Sequence, residues 1–350
     1  MFRSTQIAIP TMVRVKEGAL DRLGLYLSRS GLSQVAVFVS EGLLATLQDR
    51  VRRSLADRQV QSTAWIEISE NDLESAARMF IELKKETVAV VGVGGGKALD
   101  MAKYVAFLAR LPYFAVPTSL SNDGFCSPQA SLTVRGKRRS LAAALPRAVV
   151  VDIGVCRAAP RILTLSGVGD LVAKFTAVRD WKLSFHETGE AVDDFAALLS
   201  DGSIHAFCSH PEFDSEGVRL LATGLLLNGI AMEVAGSSRP ASGSEHLISH
   251  ALDAISERPR LHGLQVGVAS YLVSLLQQQN SEAIASLFDV SGFWQAIAAD
   301  PFRRSEWREA LRLAPSIKEK FFTVLSIPGR AAEAERLLTS DPKLAACFQE

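Results

Sequence analysis

The chain is short of the residues that would tie it to a membrane, a disulfide scaffold or a nucleic acid. Only four cysteines occur in 350 residues: Cys126, Cys156, Cys208 and Cys347. They lie far apart with no close pair. Neither a zinc knuckle nor a disulfide framework is suggested, and a reducing cytoplasm fits. Lysine plus arginine equal aspartate plus glutamate, 38 against 38, so the formal net charge is zero. A nucleic-acid partner usually leaves a basic excess, and none is expected here. No uncharged apolar run reaches the length of a membrane span. The stretch MFRSTQIAIPTMVRV lacks the long apolar core of a signal peptide. There is no internal repeat and no low-complexity tract. What remains is a globular composition, 48% apolar and 22% charged, long enough for one large domain or two ordinary ones.

What the chain does have is glycine in one place. Val88 to Lys103 reads VAVVGVGGGKALDMAK. The run Val88 to Val91 predicts a buried strand, and Ala98 to Leu108 has helical spacing. Gly92, Gly94, Gly95 and Gly96 lie between them. Backbone without side chains can approach a pyrophosphate closely, and the first N–H groups of the helix point at it. The helix dipole favours the same charge. The spacing is neither the usual dinucleotide fingerprint nor a P-loop. A tight turn with no ligand remains the alternative.

Around this turn, strand and helix patterns alternate. Residues 17–30 and 43–55 carry helical spacing, and 35–39 and 63–68 read as strands. Ser69 to Asp72 offers N-cap residues for a helix to Leu83, and Tyr113 to Val116 is a further strand. Ala130–Val134 and Ser140–Ala144 flank a basic segment, Arg135 to Arg139, and predict a hairpin with a basic tip. Ala148 to Val151 is the last strand. This order implies a doubly wound, mostly parallel sheet of Rossmann-like type, with ligands beyond the strands' carboxyl ends. There the loop Pro117 to Pro128 is dense in hydroxyls and acid. Beyond residue 158 strand patterns become rare. The expected organisation is an α/β domain over 1–158 and an all-helical domain over 159–350, with a ligand site in the cleft between them.

The six histidines are His186, His205, His210, His246, His250 and His262. The first three stand alone among polar neighbours and read as surface. His246 and His250 fall one turn apart on a helix, and His262 begins or precedes the next. Two imidazoles and a carboxylate make a three-ligand metal set with open positions, as catalytic sites have. Asp170, after two glycines at an expected helix start, is the best carboxylate candidate. Spacing alone leaves open two unrelated polar residues. Cys126 could pass for a nucleophile, but a small buried residue is the simpler reading.

Five stretches in order resemble the sn-glycerol-1-phosphate dehydrogenases, in the superfamily of iron-containing alcohol dehydrogenases, glycerol dehydrogenase and dehydroquinate synthase. They are VGVGGGKALDMAKYVA, VPTSLSNDGFCSPQASL, GVGDLVAKFTAVRDW, GSEHLISHALD and PRLHGLQVGV. The resemblance implies that Gly94, Gly95, Gly96, Lys97 and Asp100 hold the pyrophosphate of NAD or NADP. It implies that Thr118, Ser121 and Ser127 contact the cofactor near its nicotinamide. Asp123 would hold substrate. Asp170, His246 and His262 would bind one divalent metal, with Asp170 also beside the substrate and His250 on substrate rather than metal. Zinc heads the expectation, with nickel and iron(II) open. Lys174 reads most simply as a helix-surface lysine. Glu41 would accept from a ribose 2′-hydroxyl, or else face solvent.

The implied reaction is reversible reduction of dihydroxyacetone phosphate to sn-glycerol 1-phosphate, a step of phospholipid biosynthesis in such a family, by a cytoplasmic homodimer or larger homo-oligomer. Two alternatives stay open. One keeps the fold and metal but takes another polyol, cyclitol or sugar phosphate. The other is a lyase of the dehydroquinate-synthase kind.

Overall fold

A computed structural model describes residues 7–350. They divide into two compact units, one running to Ala159 and the other spanning Pro160–Glu350.

The first unit is built on a six-stranded parallel sheet. In chain order its elements are β1 (Met12–Lys16), α1 (Leu23–Arg29), β2 (Gln34–Ser40), α2 (Ala45–Ala56), β3 (Gln61–Ile68), α3 (Leu73–Glu82), β4 (Ala89–Gly94), α4 (Gly96–Ala109), β5 (Tyr113–Pro117), β6 (Gln129–Val134), β7 (Lys137–Ala142), β8 (Ala148–Asp152) and α5 (Ile153–Ala158). The strand order is β1-β8-β5-β4-β2-β3. The central strands are continuous apolar runs because helices cover both faces; β4, β5 and β8 are buried at every position. Val35, Val37 and Val39 of β2 join Val91, Val93, Phe114, Val116 and Val150 in one core layer. Asp72 caps α3 by accepting from the Ser75 N–H at 2.7 Å, as the residue pattern 69–72 predicts.

One strand went unexpected, and two expectations need correction here. β1 gives no clear strand signal. It is a five-residue edge strand, MVRVK, only partly buried, so apolar and charged residues alternate too briefly to register. The expected helix over 17–30 is a short 3₁₀ turn followed by the seven-residue α1. The hairpin forms, but of its basic residues only Arg135 is at the tip. The turn is Arg135-Gly136, both at positive φ (50° and 74°), and Lys137 to Arg139 lie in β7 paired with β6.

The second unit contains α6 (Arg161–Val172), α7 (Lys174–Thr188), α8 (Asp194–Cys208), α9 (Ser215–Ala235), α10 (Ser244–Ile255), α11 (His262–Gln277), α12 (Ser281–Ser291), α13 (Phe293–Ala299), α14 (Arg304–Leu313), α15 (Arg330–Ser340) and α16 (Pro342–Ala345). Its helical character matches the expectation except for one two-residue parallel ladder. There β9 (Phe302–Arg303) pairs with β10 (Phe348–Gln349). α9 is long and apolar enough to cross a membrane by length and composition. Leu221, Ala222, Leu225 and Ala231 on it are buried within the unit, as in a core helix.

The crossing of α6 and α11 positions the chemistry. A Cβ on Gly169 would lie 2.0 Å from the Gly263 carbonyl oxygen, and one on Gly263 would lie 1.8 Å from that of Ser166. Only glycine permits that approach. The two glycines of GVGD therefore sit inside a helix, not before one. Asp170 falls in the last turn of α6, contrary to the expected helix start.

Candidate active site

In the first unit the strand order reverses between β2 and β4. Open parallel sheets bind ligands at such a switch point, beyond the carboxyl ends of the strands. β2 ends at Ser40 and β4 at Gly94. Gly94 has φ +139°, and a Cβ there would lie 2.1 Å from Ser40 Oγ. The Ser40 hydroxyl accepts from the Gly95 N–H at 2.9 Å, which pins the turn. Nothing lies within 4 Å of where Cβ atoms on Gly95 or Gly96 would stand, so the start of α4 is open. Lys97 is exposed beside it. Asp100 is buried one turn further on. Burial pushes its carboxyl up, with Lys103 opposing.

The Thr118 N–H donates to the Gly94 carbonyl at 3.1 Å, so the loop after β5 starts against the glycine turn. Thr118, Ser121 and Asp123 are half-buried and Ser127 is buried. Asp123 opens a short 3₁₀ turn capped by Asn122, whose side chain accepts from the Gly124 N–H. Glu41 is exposed in the turn after β2. Cys126 is wholly buried, and burial pushes its thiol up to about 12, which is no nucleophile.

In the second unit Asp170, His246 and His262 converge. One ligand atom from each lies within 4.8 Å of the others. Asp170 Oδ1 stands 3.5 Å from His246 Nε2 and 3.7 Å from His262 Nε2. These are long for hydrogen bonds and natural for atoms that share an ion. Among the described residues this is the one group of three such ligands that meets in space. The two Nδ1 atoms face away from the centre. His246 Nδ1 is 3.0 Å from Glu245 Oε1, and His262 Nδ1 is 3.1 Å from Ser249 Oγ. Ligating imidazoles carry such outer partners on the far nitrogen. One carboxylate and two imidazoles, so oriented, fit a divalent first-row metal.

Charge in this unit is held unevenly. Burial pushes the Asp170 carboxyl up, but His246, His262 and Lys174 outweigh it and hold it well below the usual range. For His246, burial opposes a proton and Asp170 and Glu245 outweigh that, leaving it raised. The negative charge that draws a proton there also draws a cation, and metal binding would release the proton.

His250 completes a cluster of three rings, 6.3 Å from His246 and 5.9 Å from His262 between centroids. It does not share the Asp170 centre. Lys174 is not a surface residue. It is fully buried, and its Nζ donates to the Ala241 carbonyl at 3.1 Å. Sequence reasoning also passed over Glu245 and Lys103. An acid in a helix's first turn usually only complements the dipole, so Glu245 gave no separate signal.

Comparison with known proteins agrees with this architecture. The family model for iron-containing alcohol dehydrogenases matches residues 14–160. Solved structures with the same fold include a probable glycerol dehydrogenase from Sinorhizobium meliloti, with TM-score 0.75 at 18% identity over 97% of this chain and 100% of that one. Another is a sulfoacetaldehyde reductase from Bifidobacterium kashiwanohense in complex with NAD+, with TM-score 0.71 at 18% identity over 96% and 99%. Sequence relatives are closer. Glycerol-1-phosphate dehydrogenase [NAD(P)+] of Metallosphaera sedula is 35% identical over 95% of this chain and 96% of its own. The protein of the same name from Cenarchaeum symbiosum is 35% identical over the same shares. The chain belongs to the glycerol-1-phosphate dehydrogenase family.

Proposed function

We propose that the chain is a metal-dependent, NAD(P)-linked oxidoreductase that interconverts dihydroxyacetone phosphate and sn-glycerol 1-phosphate. The observation that carries this reading is the meeting of Asp170, His246 and His262 around one point. Relatives of that name, matched along almost the whole chain, support the substrate.

Asp170 Oδ1 and the Nε2 atoms of His246 and His262 would hold the metal, zinc in the first instance. When bound, the metal supplies Lewis acidity at the carbonyl oxygen and the nicotinamide supplies the hydride. The chain's own residues bind and orient. Gly94, Gly95, Gly96 and Lys97, with the N–H groups opening α4, hold the cofactor's pyrophosphate, and Asp100 lies behind them. Thr118, Ser121 and Ser127 contact the nicotinamide end, and Asp123 accepts from a substrate hydroxyl. His250 sits beside the metal centre without joining it. It is placed to contact substrate and pass a proton between the alcohol oxygen and solvent. The protein acts in the cytoplasm, as a homodimer or larger homo-oligomer.

The test is a substrate panel with NADH and NADPH on metal-loaded protein. Dihydroxyacetone phosphate should be reduced fastest. Chelation or His262→Ala should remove at least 99% of that rate, roughly the 10²-fold or more expected when charge stabilisation at the reacting oxygen is lost. Full activity after metal removal would refute the mechanism, and preference for another carbonyl would refute the substrate.

A further inference from the structure

We propose that Glu245 is a positioning residue for the metal: its buried carboxylate dictates which nitrogen of His246 carries the proton and thereby presents the other to the ion. The proposal rests on the metal reading above, not on the substrate.

Glu245 is fully buried at the start of α10. Its Oε1 accepts from the Gly243 N–H at 2.5 Å and lies 3.0 Å from His246 Nδ1. Its Oε2 accepts from the Thr176 hydroxyl at 2.9 Å. An ionised carboxylate only accepts, so the hydrogen between Oε1 and Nδ1 must belong to the imidazole. With its proton on Nδ1, a neutral His246 offers its lone pair at Nε2, the atom 3.5 Å from Asp170 Oδ1.

The carboxylate is also held in place. A Cβ on Gly243 would lie 3.0 Å from Glu245 Oε2 and 2.9 Å from Asp180 Oδ2, so a side chain there would crowd both acids. Asp180 Oδ2 in turn accepts from the Ser244 N–H at 2.7 Å, fixing the first turn of the helix that carries His246. The two imidazoles are therefore not equivalent. His262 Nδ1 meets the Ser249 hydroxyl, which can donate or accept, so that contact does not select a tautomer.

The experiment uses the full-length protein stripped of metal and titrated with Zn²⁺ alone, without cofactor or substrate. Parent, Glu245→Gln and Asp170→Asn are compared by competition with a chelator. Histidine ¹H–¹⁵N spectra of the metal-free parent and of Glu245→Gln, recorded at alkaline pH where the imidazoles are neutral, read the tautomers directly. Glu245→Gln should weaken Zn²⁺ binding by roughly 10- to 100-fold, the range typical of lost outer-shell partners. The parent should show His246 protonated on Nδ1, with the variant showing a mixture. Zn²⁺ affinity within twofold of the parent, or parent His246 protonated on Nε2 alone, overturns the proposal. If Glu245→Gln fails to fold, the parent spectrum still decides. Asp170→Asn separates the two layers. If it abolishes Zn²⁺ binding while Glu245→Gln does not, only the role of Glu245 falls. If it leaves binding intact, the metal reading and this proposal fall together.

Discussion

At the scale of single residues, the candidate site depends on buried charges that the sequence does not advertise. Lys103 is 1% exposed, and its ammonium donates to the carbonyls of Gly124 at 2.6 Å and Gln129 at 2.7 Å and to Asp100 Oδ1 at 3.2 Å. One lysine thus ties the helix behind the glycine turn to the loop that carries Ser121, Asp123 and Ser127. Lys103→Met would leave Asp100 buried without its cation and two carbonyls without a donor. Breaking a buried pair from one side typically costs about 3–5 kcal/mol. Urea denaturation should show a loss in that range, and steady-state kinetics a raised KM for the nicotinamide cofactor. Stability within about 0.5 kcal/mol of the parent, the scatter of ordinary surface changes, would contradict the role given to Lys103. In the linear chain Lys103 and Lys174 each follow an aspartate, by three and four residues, as many exposed helix lysines do. Their burial follows from what packs over them: the hydroxyl-rich loop in one case, the segment before α10 in the other.

At the scale of elements, the decisive contact is glycine against backbone where α6 crosses α11. Gly169 and Gly263 let the helices approach until Asp170 and His262 face one point. In an isolated helix, Gly→Ala is favourable by about 1 kcal/mol. Here the added methyl would meet a carbonyl oxygen at 2.0 Å, so the sign reverses. Gly169→Ala should force the helices apart, lower the melting temperature and weaken Zn²⁺ binding, checked by calorimetry and by metal analysis after dialysis. A variant as stable as the parent with full metal content would contradict this use of the glycines. The same contact explains the misread helix start. Glycine before a polar residue signals a boundary when no neighbour is known, and a crossing helix is information that local sequence does not hold. By contrast, β2, β4 and β5 were legible because strands buried on both faces leave continuous apolar runs, and Asp72 because a cap is local chemistry.

At the scale of the whole molecule, the α/β order and the helical remainder were readable from periodicity, since each element's apolar pattern reflects its own burial. The three candidate metal ligands come from two separate stretches of the second unit, Asp170 lying 76 positions before His246 and 92 before His262. Spacing could offer the pair of histidines on α10, but not decide between His250 and His262. The family resemblance made that choice, and the geometry groups His262, not His250, with Asp170 and His246. The carboxylate behind His246 was legible in neither way, because its role depends on Thr176 and Gly243 closing around it.

The most direct measurement is anomalous diffraction from crystals of the metal-loaded protein, recorded on both sides of the metal's absorption edge. The expected result is one ion bonded to Asp170 Oδ1 and to the Nε2 atoms of His246 and His262. An ion bound elsewhere, with these three side chains out of its reach, would contradict the proposed centre.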